Sequence, residues 1–312
     1  MSLKIPAIMS WSGGKDSAYT LYKVLEEGIY DVKYLISTFN GNTNRLSTHG
    51  IPQRLIEEQA LQTGITLIPF YVNENNNVEY EEEMGKILSY IKGEGIFHII
   101  FGDIFLQDLR RYREDSMKGF EMQCVFPVWQ TDTLFLVKDF IAKGFKSITC
   151  CINENYLTRE WVGREIDEEF IAALPATVDP CGENGEFHSF CYEGPVFKNS
   201  LPVKKGLIFH KSLPLSTAGD DGGPSDIGFW YCQIGLVSVN TKHEIKTCPR
   251  CSGSFECKTG DVANCQCNAI KLNEEVYDLI KNKYDDCLCA NCLKALSHPQ
   301  QLFKEKYGSH PH

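Results

Sequence analysis

Ser12-Gly13-Gly14-Lys15-Asp16-Ser17 decides the fold. A short, mostly apolar run, Ile5–Trp11, precedes it, and Ala18–Leu25 follows with apolar residues at helical spacing. Strand, glycine turn and helix aim several backbone N–H groups at one anion. The two glycines permit a tight turn and close approach of a phosphate. Ser12 and Ser17 add hydroxyl donors, Lys15 a cation, and Asp16 a carboxylate that can hold Mg²⁺ beside phosphates. The spacing is not the G-x-x-x-x-G-K-[ST] phosphate loop, because no glycine precedes Gly14 by five residues and Asp16 follows the lysine.

Working outward, strands are expected at Asp31–Phe39, Ile65–Val72, Ile96–Phe101, Val125–Trp129 and Lys146–Ile152. Helices are expected at Ile51–Thr63, within Val78–Lys92, at Thr133–Lys143 and at Glu165–Leu174. This alternation predicts an α/β fold with a doubly wound parallel sheet. Ligands then sit beyond the carboxyl ends of the strands. The Ser12 loop and Gly102-Asp103 both lie at such ends, so they should face one crevice. Arg110, Arg111 and Arg113 follow Asp103 and can clamp a phosphate or a carboxylate. They can equally be a basic helix face paired with Asp108, Glu114 and Asp115.

Asp179–Phe190 packs glycines, carboxylates and an imidazole into one loop. Glu183 and Glu186 can hold an ammonium, orient an amine or act as general base, and His188 can share the proton work. The same stretch also reads as a polar hairpin with satisfied side chains. Lys204–Asp226 reads as an irregular segment rich in Gly, Pro, Ser and Asp. A strand at Gly228–Val239 is expected to return to the first domain. Cys150 and Cys151 read as core residues.

The chain has 312 residues, a formal net charge of −10 and fourteen cysteines, eight of them between Cys248 and Cys292. The acidity argues against a protein that coats nucleic acid. No apolar run reaches the ~18 residues of a membrane span, and the N-terminus lacks a signal-peptide pattern, so a cytoplasmic location is expected. In that compartment the clustered cysteines favour metal over disulfides. They read Cys248-x2-Cys251-x5-Cys257-x7-Cys265-x-Cys267-x19-Cys287-x-Cys289-x2-Cys292, enough thiolates for two four-cysteine Zn²⁺ sites whose pairing the spacing leaves open. So small a module has too little core to fold without metal.

Three motifs in order, Ser12–Ser17, then Gly102-Asp103-Ile104 with Arg110–Glu114, then Gly182-Glu183-Asn184-Gly185-Glu186-Phe187, resemble the diphthine–ammonia ligase family of N-type ATP pyrophosphatases. Asn184 and Phe187-His188-Ser189 depart from that family's commoner Gly and Tyr-Glu-Thr. The resemblance covers roughly residues 5 to 200 and implies an adenine nucleotide alpha hydrolase-like (HUP-like) fold with a smaller α+β substrate subdomain. It implies an enzyme that adenylates a carboxylate with Mg-ATP, releases pyrophosphate, and forms an amide with ammonia. Gly13, Gly14 and Lys15 would then cradle pyrophosphate, and Asp16 with Asp103 would hold Mg²⁺. The arginine motif ending at Glu114 would anchor the carboxylate, and Glu183 and Glu186 would receive ammonium. Alternatives are an RNA base-modifying relative and a non-catalytic ATP-binding adaptor.

The cysteine spacing resembles the CWC domain, with Gln266 in place of its tryptophan. Six basic residues and seven acidic ones between Cys248 and Leu296 argue against a nucleic-acid grip there and favour a structural or protein-docking role. The expected organisation is an ATP-binding subdomain over 1–135, a substrate-side subdomain over 136–239, a linker at 240–247, a zinc module over 248–296 and a tail at 297–312. The expected partners are a small-molecule or protein carboxylate acceptor, ammonia and a second copy in a homodimer, with no membrane.

Overall fold

The computed structural model describes residues 3–46, 49–73, 77–214, 226–237, 244–257, 270 and 272–307. The chain divides into two compact units, Met1–Val237 and Ser238–His312.

The first unit opens with β1 (Ile5–Ser10), α1 (Lys15–Glu27), β2 (Tyr30–Asn40), the two-residue β3 (Arg45–Leu46), α2 (Gln53–Thr63) and β4 (Thr66–Val72). It continues through α3 (Asn77–Gly93), β5 (His98–Ile100), α4 (Gln107–Lys118), β6 (Gln123–Val125) and α5 (Thr133–Ala142). Strands β4, β2, β1, β5 and β6 pair in that order, all parallel. Short β3 pairs antiparallel with the end of β2. β1 shows the two-sided burial that parallel sheets require. Ala7 and Met9 enter one core, with α1, α2 and α5, while Ile8 enters the other, against α3. Glycines in left-handed conformation stop α1 at Gly28 and α2 at Gly64, the usual backbone-satisfying end of a helix. Asp132 caps α5 by accepting from Phe135 N.

A second sheet follows: β7 (Lys146–Asn153), a short α6 (Glu168–Ala173), β8 (Phe187–Glu193), β9 (Val203–Pro214) and β10 (Asp226–Leu236). Its order is β8-β7-β10-β9, antiparallel throughout. Cys150 and Cys151 are fully buried in it.

Two expectations are corrected. Val203–Pro214 is a strand rather than irregular chain, because the run Leu207-Ile208-Phe209 pairs with β10 despite the lysines and glycine around it. Residues 215–225, including the Gly219–Pro224 run, lie outside the described residues. The strand expected to return to the first domain lies in the first unit, where it pairs with β7 and β9 of the second sheet. The fifth strand of the parallel sheet is Gln123–Val125, earlier than Val125–Trp129, and Phe126–Trp129 makes a turn.

The second unit holds β11 (Glu244–Thr247) paired antiparallel with β12 (Ser254–Cys257), then α7 (Glu274–Lys283), α8 (Ala290–Leu296) and α9 (Pro299–Tyr307). β11 occupies the second half of the expected linker, and residues 240–243 lie outside the described residues. The expected tail contains α9, which inserts Leu302 into the unit's core and sets Glu305 against Arg250 and Lys283. Among the described residues, no helix is long and apolar enough to cross a membrane.

Candidate functional site

The loop after β1 passes into α1 with Gly14 at the N-cap, extended and without a side-chain cap. The first N–H groups of a helix have no intrahelical acceptor, so this end is an anion site unless something fills it. Part of it is filled from the second sheet: Lys15 N donates to Ser189 Oγ of β8 at 3.1 Å. Ser17 Oγ donates to Gly14 O at 3.0 Å, and the Ser12 and Ser17 hydroxyls are 3.2 Å apart. Lys15 is 1% exposed, with Nζ donating to both Asp16 oxygens at 2.7 and 2.8 Å and to Cys181 O. Burial opposes the lysine's charge, but Asp16 and the other anionic groups nearby outweigh it and hold the ammonium well above its ordinary pKa.

Behind the loop stands Gln59 of α2, fully buried. It accepts from Trp11 Nε1 at 3.0 Å and donates to Gly13 O at 2.8 Å and Cys191 O at 2.5 Å. Gly13 has φ of 71°, and a Cβ there would collide with the Gln59 amide and Ile56. Cys191 N also donates to Gly13 O at 2.9 Å, so β8 and the phosphate-type loop form one unit. The sequence signal for this brace was a glutamine among the apolar residues Leu55, Ile56 and Ala60.

The loop opens on a cavity of about 290 Å³ lined by Ser12, Gly14, Lys15, Asp16, Ser17, Gly102, Asp103, Arg113, Glu183, His49 and His188, among others. Glu183 Oε1 accepts from Ile104 N at 2.8 Å. Burial, with Asp16 nearby, pushes its carboxyl up to about 7 against the pull of the Ile104 N–H and Lys15. Burial likewise raises Asp103, partly offset by Arg113, whose Nε lies 3.4 Å from Asp103 Oδ2. Arg113 also stacks over Phe101 at 4.8 Å.

Arg110, Arg111, Glu114 and Glu186 go elsewhere. Arg110 stacks on Phe126 and Trp129 at 4.7 and 4.6 Å and pairs with Glu114 at 2.8 Å. Arg111 is two-thirds exposed, 4.0 Å from Asp108. Of the three arginines, Arg113 alone lines this cavity. Glu186 is 1% exposed and turned into its own loop. Its oxygens accept from Asp179 N at 2.9 Å, Asn184 N at 2.9 Å and Asn184 Nδ2 at 3.0 Å. Those contacts hold the turn that presents Glu183. His188 lines the cavity with its ring centroid 4.5 Å from that of His49, a residue the sequence did not single out.

In the second unit the sulfurs of Cys248, Cys251, Cys289 and Cys292 all lie within 4.8 Å of one another, with Cys251 and Cys289 3.8 Å apart. A tetrahedral Zn²⁺ with Zn–S bonds of about 2.3 Å needs sulfurs about 3.8 Å apart, so these four fit one zinc. The first and last C-x2-C pairs are therefore partners. Cys257 and Cys287 interact with each other, and Cys265 and Cys267 lie outside the described residues. All cysteines among the described residues are free of disulfides.

Comparison with protein families gives three matches. The diphthamide synthase N-terminal domain matches residues 5–118, the diphthamide synthase C-terminal domain 132–214, and the cysteine-rich CWC domain 248–294. No curated protein matches the chain. The first two matches together span more than half of it and contain the loop, Asp103, Arg113 and Glu183. The chain belongs to the diphthamide synthase family of ATP pyrophosphatases and carries a CWC domain at its C-terminal end.

Proposed function

We propose that the first unit is an AMP-forming ligase that activates a carboxylate with ATP and converts it to an amide with ammonia. The observation that carries this reading is the meeting of three distant motifs in one cavity: the Lys15 loop, the Asp103–Arg113 pair and Glu183. In the first step a carboxylate oxygen bonds to the α-phosphorus of ATP, and the bond to the bridging oxygen breaks as pyrophosphate leaves. Lys15 and the α1 N-terminus sit where the leaving group's charge grows. Arg113 is the cationic side chain placed to orient the carboxylate. In the second step ammonia bonds to the acyl carbon, the carbon–oxygen bond to AMP breaks, and the attacking nitrogen gives up a proton.

The cavity fits Mg²⁺, since Asp16, Asp103 and Glu183 line it, and Asp103 and Glu183, raised chiefly by burial with Asp16 nearby adding to it, are relieved by a hard cation. When bound, Mg²⁺ would screen the phosphate oxygens. In the second unit, Cys257 and Cys287 with Cys265 and Cys267 are the thiols for a second zinc, and the module would serve as a structural or protein-docking element. The acceptor would be a small-molecule or protein-borne carboxylate.

The test is pyrophosphate release by full-length protein with Mg-ATP. Release that depends on ammonium and a carboxylate supports the reading. Release that depends on added RNA supports a base-modifying enzyme, and ATP binding without release under all acceptors supports an adaptor.

A further inference from the structure

The nitrogen nucleophile needs a place in the cavity, and the expected pair of glutamates does not supply one. Glu186 has its oxygens committed to Asp179 and Asn184 and does not line the cavity. Glu183 sits with Asp16 and Asp103, a setting for a cation. The cavity wall formed by His49 and His188 has different chemistry.

The two rings come from different subdomains and are fixed through their backbones. His49 lies between β3 and α2, where Gly50 N donates to Leu46 O at 3.0 Å and Arg45 Nη1 donates to Gly50 O at 2.7 Å. Gly50 has φ of 65° and packs so closely on Tyr231 that a Cβ there would lie 3.1 Å from the ring. His188 is on β8, in register with Cys151 of β7, which is itself in register with Tyr231 of β10. The rings meet with centroids 4.5 Å apart and planes tilted by 48°. Among the described residues, neither ring hydrogen-bonds to another protein group, although both line the cavity.

The charged group that acts on both rings is the Lys15 ammonium of α1; Asp16, Asp103, Arg113 and Glu183 are the other charged residues lining the cavity. Burial, with Lys15 nearby, pushes His188 down to about 4 and His49 well below the usual imidazole range. The wall is thus two neutral imidazoles beside a fixed positive charge. Each offers one lone pair and one N–H, and the lysine repels a small cation.

We propose that His49 and His188 form the subsite that takes up the nitrogen nucleophile as neutral ammonia, a role that rests on the amide-forming reading. Ammonium gives its proton to solvent water, one N–H bond breaking on ammonium and one O–H bond forming on water, and the neutral ammonia enters where the Lys15 charge keeps the cation out. Ammonia stays, hydrogen-bonded to the rings, with its lone pair free for the acyl carbon.

The test uses full-length protein carrying ¹⁵N-histidine, titrated with ammonium chloride and, at equal ionic strength, potassium chloride, between pH 6.5 and 8.5. Two imidazoles should shift saturably with ammonium and not with potassium. The apparent affinity for total ammonium should tighten about tenfold per pH unit, as it must when the deprotonated species binds. His49→Gln and His188→Gln should each remove one shifting resonance and weaken the response of the other. No shift in the parent protein, or an affinity independent of pH, overturns the assignment, and neither outcome depends on how a variant folds. The ligase reading fails separately: pyrophosphate release indifferent to ammonium would retire it, and with it the subsite's role, even with ammonia bound.

Discussion

Glu186→Gln exchanges one carboxylate oxygen for an amide NH₂ and separates a structural from a chemical role for this residue. In the folded protein Oε1 accepts from Asp179 N and Asn184 Nδ2, and Oε2 accepts from Asn184 N. Glutamine has one oxygen, so whichever way its amide turns, one backbone N–H faces an NH₂ group. Leaving a buried donor unmet costs about 1–3 kcal/mol, and the surviving bonds lose the extra strength of a charged acceptor. Together these give a loss of roughly 2–4 kcal/mol. All four tryptophans, Trp11, Trp129, Trp161 and Trp230, lie in the first unit, so their fluorescence during urea unfolding reports on that unit. With a urea m-value of about 2–3 kcal/mol/M, the midpoint should fall by about 1 M. Glu183→Gln, which keeps an oxygen for Ile104 N, should shift it much less while slowing pyrophosphate release. An unchanged midpoint in Glu186→Gln together with abolished turnover would refute this reasoning and return Glu186 to the chemistry.

Three further outcomes follow from other parts of the structure. Lys15→Met removes the buried ammonium that bridges Asp16 and Cys181 O, and calorimetry should find Mg-ATP binding weakened by about 100-fold or more. His188 has a folded pKa of about 4 against 6.5 unfolded, so below pH 6.5 the unfolded chain binds the extra proton. Stability should therefore be full above pH 6.5 and decline towards pH 4. The His188 share is of order 1–3 kcal/mol after allowance for its partial exposure, and the gap between urea midpoints at pH 7 and pH 5 should narrow in His188→Gln, His49 keeping its own share. Cys289→Ser should lower bound zinc by about one ion per chain in elemental analysis, and zinc content equal to that of the parent would contradict the four-sulfur assignment.

What the sequence disclosed was local. The strand–loop–helix around Ser12–Ser17 needs only neighbouring glycines and helical spacing, and it formed where expected. The end of α2 at Thr63, expected there, is equally local. β9 leaves no strand signal in the sequence because Lys204–Ser212 is exposed throughout, so no buried face imprints an alternating pattern on it. The choice among Arg110, Arg111 and Arg113 depends on aromatic neighbours: Phe126 and Trp129 hold Arg110, while Phe101 and Asp103 hold Arg113. Glu186 read as a site residue because a buried carboxylate satisfied by its own turn has the same composition as a reactive one. His49 gave no signal, since its meaning comes from His188, far along the chain on another sheet. The cysteine spacing pointed to a metal site, while the pairing of the first and last C-x2-C pairs required tertiary structure.

The most direct test of the central claim is ³¹P NMR of full-length protein with Mg-ATP, ammonium and a small-molecule extract cleared of protein. The account predicts AMP and pyrophosphate in equal amounts, dependent on ammonium and absent in Lys15→Met. ADP and phosphate as the products, or AMP formed equally well by Lys15→Met, would contradict it.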